Sequence, residues 1–303
     1  MTRENIFRLF SEVILLPATI FLIIFHGIVV RLNEKTAYSF GRRIIVPLFR
    51  IRRKRIMENM IGFFGTSSPR NIEQTSNILL DHISDTIVEL IRLPSYAEGM
   101  LKTKIDVAGI EYLQTALSNG KGVLCIGNHI SNWWYTRALL SELGFPVANV
   151  SNRIPVRVIE YHLNAIRHRY RIRTTYVGEG GREAAEEAFR HNEVFSILFD
   201  ISVPGRQSHS AWMKFGNAMM LVDTGPAMLA LRNRVPIILC TTHRTDAHRH
   251  QIGLEPFLPN YPSSATEEDA VALTQEWINL LVKEIHEYPE QWWQWGNIEL
   301  RTK

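Results

Sequence analysis

His129 stands at the end of an apolar run, Gly122-Val123-Leu124-Cys125-Ile126-Gly127, and is followed by Ile130-Ser131-Asn132-Trp133-Trp134. Imidazole is the side chain best matched to proton transfer near neutral pH, which makes His129 a candidate general base. The apolar run reads as a buried strand that stops at Gly127-Asn128, and the pattern through Leu139 to Leu143 reads as a helix. His129 therefore falls where a strand hands over to a helix, just outside the carboxyl end of the strand, where open α/β sheets build active sites. Ser131 lies too close in sequence to pair with His129 as nucleophile and base without an orienting third group, and none is evident.

The surrounding elements alternate. Strands are predicted at 105–107, 123–126, 146–150, 174–177, 194–199, 236–241 and 251–254. Helices are predicted at 72–93, 112–118, 133–143, 156–167, 182–190, 224–232 and 268–288, and Pro289 stops the last. This predicts a mixed α/β sheet flanked by helices. Residues 59–65 read as a short turn, and Arg206 to Ser210 as the most polar loop. The chain of 303 residues is 46% hydrophobic and 21% charged, ordinary for a globular protein with ample core. Its two cysteines, Cys125 and Cys240, lie in strand-like runs and read as buried free thiols.

Residues 13–30 carry no fixed charge and nearly reach the roughly 20 apolar residues of a membrane span, though Pro17, His26 and Gly27 interrupt them. An N-terminal anchoring helix is expected, either spanning the membrane or lying in it. Arg31, Lys35, Arg42, Arg43, Arg50, Arg52, Arg53, Lys54 and Arg55 follow, opposed by Glu34 alone. By the positive-inside tendency this flank stays cytoplasmic. The net charge of +4 is consistent with nucleic acid, but basic residues beside an apolar helix point to anionic lipid headgroups as the partner. The expected organisation is an anchor at 1–31, a basic flank with amphipathic helices at 32–100, and a catalytic domain at 101–303. His243, His248 and His250 crowd one polar turn, but their spacing among Arg244 and Arg249 suits a solvated loop better than a metal site. The Glu179-Gly180-Gly181 turn matches no phosphate loop.

A strand, a histidine, four residues and then an acid are the signature of the lysophospholipid acyltransferase superfamily, and the chain most resembles its lipid A biosynthesis (late) acyltransferase family. The resemblance runs from the apolar N-terminus through Arg55-Ile56-Met57-Glu58-Asn59 to Pro289-Glu290-Gln291-Trp292-Trp293. It implies an inner-membrane enzyme, its catalytic domain on the cytoplasmic face, for lipopolysaccharide and lipid metabolism. Such an enzyme moves an acyl group from an acyl-carrier-protein or coenzyme A thioester to a glycolipid hydroxyl, with the histidine as base and no cofactor or metal. The family's Arg-x-Arg segment maps best onto Arg169, with Arg167 beside it, to assist the thioester or a phosphorylated acceptor; a guanidinium fork suits either task. A solvated helix end complementing the helix dipole is the competing reading of these arginines. Asp200 matches the family's acid after the next strand and is expected to orient Arg169 or His129; a loop-capping turn is its competing reading. Asn132, Trp134, Arg167 and Gly216 are the candidate substrate contacts, and Gly216 and Gly225 match glycine-containing elements that shape the acyl site.

Two departures stand out. The acid expected after four intervening residues is Trp134, and Gly296-Asn297-Ile298 replaces the family's His-Arg-Arg-aromatic ending. Indole cannot accept the imidazole N–H as a carboxylate does. Catalysis then requires another carboxylate, such as Asp200 or Glu142, to reach His129, or a more nucleophilic acceptor or activated aminoacyl donor. Without these, the chain is a catalytically impaired homologue that binds lipid or a partner. The terminal tryptophans read as core packing, with contact to lipid as the alternative.

Overall fold

The computed structural model describes residues 3–68, 70–201, 209–246 and 249–302. Helices α1 (Arg3–Arg31) and α2 (Glu34–Phe49) meet at Asn33, whose side chain accepts the Thr36 N–H and caps α2. Helix α3 (Arg53–Phe64) occupies most of the stretch read from sequence as a turn. Ile56, Met60 and Phe63 recur on one helical face and are fully buried, Phe63 against Phe215 and Trp295, so tertiary burial overrides the local turn signal. Helix α4 (Ile72–Arg92) crosses beneath α1 and α2, and Arg92 Nη1 donates to the Val29 and Leu32 carbonyls at 2.8 and 2.7 Å. These bonds satisfy carbonyls that the end of α1 would otherwise leave unpaired.

The alternating part runs through α5 (Met100–Lys104), β1 (Ile105–Ala108), α6 (Ile110–Ser118), β2 (Val123–Gly127), α7 (Trp133–Glu142) and β3 (Val147–Ser151). It continues with α8 (Arg157–Arg169), β4 (Arg173–Tyr176), α9 (Gly181–Arg190), β5 (Val194–Leu198), β6 (Ser210–Phe215) and β7 (Ala218–Asp223). Last come α10 (Gly225–Asn233), β8 (Ile237–Arg244), β9 (His250–Phe257), α11 (Glu267–Glu287) and β10 (Leu300–Thr302). Seven strands form one mixed sheet in the order β1-β9-β8-β2-β5-β3-β4; β9 runs antiparallel to β8, and the other pairs are parallel. The sheet anticipated from alternation is present. Three strands not anticipated, β6, β7 and β10, form a separate antiparallel sheet beside it. Their turn is Gly216, at φ 59, a left-handed conformation in which glycine meets no Cβ penalty.

Strand β2 lies in the middle, buried at all five residues, which accounts for its unbroken apolar run. Gly127 pairs with Leu198 of β5 and Cys240 of β8, so the segment after Gly127 emerges beside the carboxyl ends of both neighbours. Cys125 and Cys240 are buried and free. Among the described residues no helix is long and apolar enough to cross a membrane. Helix α1 instead buries Phe25 and Val29 against α2 and α4, while Leu16, Ile20, Phe21, Ile23, Ile24 and Ile28 are exposed.

A buried carboxylate ties these layers together. Glu89 of α4 accepts Tyr38 Oη of α2 and Asn132 Nδ2 of the loop before α7, each at 3.0 Å. It forms a bidentate pair with Arg244 of β8, and His250 Nε2 of β9 lies 3.0 Å away. Burial pushes the Glu89 carboxyl up, but Arg244 and His250 outweigh burial and hold it far below its usual range. Removing one partner of such a pair typically costs 3–5 kcal/mol, so Glu89→Gln should destabilise the fold by about 3 kcal/mol at neutral pH, read by denaturant unfolding. A carboxyl depressed in the native state stabilises above its unfolded value, near 4.5, and the contribution is lost as pH falls through the native one. Wild-type stability should therefore drop more steeply than that of the variant below about pH 4.5.

Candidate functional site

Between β2 and α7 the chain turns sharply, and every residue of the turn is held. Asn128 Oδ1 accepts the Ile130 N–H at 3.0 Å, and Asn128 Nδ2 donates to Glu284 at 2.6 Å. Ser131 takes φ 54, and Asn132 caps α7 by accepting the Trp134 N–H. The segment after α11 closes over this turn: Ser131 N–H donates to the Gln291 carbonyl at 2.8 Å and Trp293 N–H to the His129 carbonyl at 2.9 Å. The glutamine side chain also grips the backbone of Arg244 in both directions, at 2.7 and 3.0 Å.

Asp200, two residues past β5 and wholly buried, meets His129 twice. His129 N–H donates to Oδ2 at 2.8 Å, and Nδ1 lies 2.7 Å from Oδ1. Trp292 Nε1 donates to Oδ2 at 2.8 Å. Burial pushes this carboxyl up, but the His129 charge and the three hydrogen bonds outweigh burial and hold it below its ordinary value. Asp200 is thus ionised at neutral pH and only accepts, so Nδ1 carries the proton of this hydrogen bond. The carboxylate partner of the imidazole therefore comes from the neighbouring strand. Glu142 cannot serve, because it sits at the opposite end of α7 from His129.

His129 lines a cavity of about 1190 Å³. Phe21, Phe25, Leu48 and Phe49 of α1 and α2 form one wall, Phe195 and Ile197 of β5 another, and Trp133, Trp134 and Trp293 also line it. Trp133 packs edge-on against the imidazole at 4.7 Å between ring centroids. Ser151, Asn152, Gly180, Arg182 and Glu183 give the far end a polar rim. The lining is mostly apolar with few polar groups, which is the character of a lipid or small-molecule site.

The other predicted residues divide. Trp134 lines the cavity, its ring 5.5 Å from the Arg137 guanidinium and 5.8 Å from that of Arg167. Arg167 is buried, pairing with Glu160 at 2.6 Å and bonding Asn164 and Tyr176. Arg169, two positions along α8, points elsewhere: its Nη2 donates to the Tyr96 carbonyl at 3.2 Å, it does not line the cavity, and Asp200 binds His129 instead. Asn132 serves Glu89 and the α7 cap. Gly216 closes the β6–β7 turn, where a Cβ would lie 2.6 Å from the Phe63 carbonyl, so its role is packing. Gly225 lines the cavity at the start of α10.

His250 is not a solvated loop residue. It is fully buried, and burial depresses its basicity despite Glu89; the neutral ring donates from Nε2 to Glu89 and accepts Ser131 Oγ at Nδ1, 3.1 Å away. His243 is half-buried beside Glu284, at 2.7 Å, and stacks on Tyr288. Among the described residues no cluster is suited to a metal ion. Val203-Pro204-Gly205, Arg206 and His248 lie outside the described residues. Trp292, Glu89, Gln291 and Arg137 were not singled out from sequence for this site. An acid inside the apolar run 87–91 was a visible signal for Glu89, but its partners are more than forty residues away in sequence.

A family model described as bacterial lipid A biosynthesis acyltransferase matches residues 10–295. No curated protein matches the chain. Asp200→Asn should leave the protein folded and lower kcat by about 10³-fold or more, because an amide no longer fixes the imidazole tautomer as a carboxylate does. Gly216→Ala should cost about 2 kcal/mol of stability in a thermal melt, from the left-handed φ and the Phe63 contact, with KM unchanged.

Proposed function

This chain belongs to the bacterial lipid A biosynthesis acyltransferase family, and on that premise we propose that His129 and Asp200 catalyse transfer of an acyl group from a carrier thioester to a lipid hydroxyl. The observation that carries this reading is the His129–Asp200 pair opening onto an apolar cavity. Nε2 takes the proton of the acceptor hydroxyl, and its oxygen attacks the thioester carbonyl. The carbon–sulfur bond breaks, and the imidazolium returns the proton to the leaving thiolate. The products are an acyl ester and a free thiol, on acyl-carrier protein or coenzyme A. Asp200 orients the ring and stabilises its charged form.

The acceptor is proposed to be a membrane glycolipid. Phe21 and Leu48 are both exposed on the surface and part of the cavity lining, so apolar surface and apolar cavity are continuous. Exposed Ile20, Ile23 and Ile24 of α1 extend that surface, and Arg43, Arg50 and Lys54 flank Leu48 and Ile51. An apolar patch beside cations suits an anionic bilayer surface, which supports residence on the cytoplasmic face of the inner membrane. His129→Ala should reduce formation of the acylated lipid by about 10³-fold, while the protein stays with the membrane fraction. Mass spectrometry of total lipids from cells expressing either form reads this. Equal product from both forms would defeat the catalytic reading.

A further inference from the structure

Among the described residues three arginines are buried around the sheet, and they are not alike. Arg244 has Glu89 and Arg167 has Glu160 as carboxylate partners. Arg137, on α7, is 4% exposed, and its one hydrogen bond is from Nε to Ser196 Oγ at 3.1 Å. Among the described residues no carboxylate pairs with it. The indole of Trp134, one helical turn earlier, packs 5.5 Å from its guanidinium. An aromatic face attracts a cation without neutralising it. The charge therefore remains, and it lies on the wall of the cavity.

Position 134 explains why the charge is unpaired. Residues three apart on a helix share a face, so an acid at 134 would stand beside Arg137 and answer its charge. This chain has indole there. A second guanidinium lies close by: Arg167 stands 5.8 Å from the same ring, and its Nε and Nη2 have no hydrogen-bond partner although both are buried. Burial, and then the like charge of Arg167, draw Arg137 down to about 10, which still leaves it cationic at neutral pH. A buried charge without a counter-ion is costly and is ordinarily paired.

We propose that Arg137, with Trp134 as its floor, is an anion-binding subsite of the cavity that receives an oxyanion, carboxylate or phosphate, carried by a substrate. A guanidinium fork binds either group through two parallel hydrogen bonds. The subsite lies inward from the catalytic base. Ser196, which holds Arg137, pairs with Cys125, four residues before His129, so at about 3.3 Å per strand residue the anion sits at most about 13 Å along the strand direction from the imidazole. A ligand that spans from His129 to Arg137 is thereby measured as well as held. The subsite rests on the reading of this cavity as the substrate site, but its occupancy is measured without turnover.

Isothermal titration of the detergent-solubilised full chain with sodium octanoate, and separately with inorganic phosphate, tests it. At least one probe should bind the wild type and bind tenfold or more weakly to Arg137→Gln. Trp134→Glu, which places a carboxylate beside the guanidinium, should weaken binding to the same degree with Arg137 intact. Preference for octanoate assigns the anion to a substrate carboxylate, and preference for phosphate assigns it to a phosphorylated lipid. No binding of either probe to the wild type overturns the proposal, as does binding that both variants retain. A protein that binds the anion but transfers no acyl group defeats the catalytic reading alone; one that transfers acyl groups without binding either anion defeats the subsite alone.

Discussion

The Glu89 carboxylate is the point on which the rest of the structure turns. Its two oxygens receive Tyr38, Asn132 and Arg244, with His250 at bonding distance, which links α2, α4, the turn before α7 and strands β8 and β9. One ionised oxygen pair engages all of them, three contacts at one oxygen and two at the other. Because Asn132 caps α7 and His250 holds Ser131, the carboxylate reaches both residues that follow Ile130 in the catalytic turn. The helical layer outside the sheet and the turn that carries His129 are therefore one mechanical unit. In a wet setting such bonds would each be worth little, but a buried network is stiff, and one lost member leaves an uncompensated charge.

The same logic explains how His129 has a carboxylate partner although position 134, on the helix that follows it, is a tryptophan. An imidazole needs an acceptor at Nδ1, but physics does not require that acceptor to come from its own helix. Gly127 and Leu198 are register partners in adjacent parallel strands, so the residues just past each strand emerge side by side. Asp200 is thereby within reach of both the ring and the backbone of His129. Its second oxygen is occupied by the His129 N–H and Trp292 Nε1, which leaves Oδ1 aligned on Nδ1. Three donors on one buried carboxylate offset its desolvation and keep it charged, and a charged acceptor is what fixes the tautomer.

Much of the sheet was legible because apolar, β-branched stretches alternate with helical patterns, and β2, a continuous apolar run ended at Gly127-Asn128, is the clearest case. His129 was legible for the same reason, from a single chain segment. Asp200 was legible as a residue but not as a partner, since the sequence offered Arg169 and His129 equally and strand order decides between them. Arg167 and Arg169 show the limit of spacing: two residues on a helix are some 200° apart, so one faces the interior and the other the Tyr96 carbonyl. The histidines at 243 and 250 looked alike in a polar string. Strand alternation around β8 and β9, not composition, put His250 in the core. The 59–65 turn failed because Asn59, its one polar side chain, faces inward and donates to the Trp295 carbonyl while Phe63 packs on the Trp295 ring, contacts more than 230 residues away in sequence.

The His129–Asp200 pair also depends on what surrounds it. Trp133 packs on the imidazole and on Trp293, and Phe49 closes on Trp293 at 6.1 Å between ring centroids. Low polarity strengthens the attraction between the Asp200 carboxylate and the ring proton it accepts. Asp200, just past β5, thus gives the imidazole a charged partner, while Trp133 and Trp293 keep the wall beside the ring apolar.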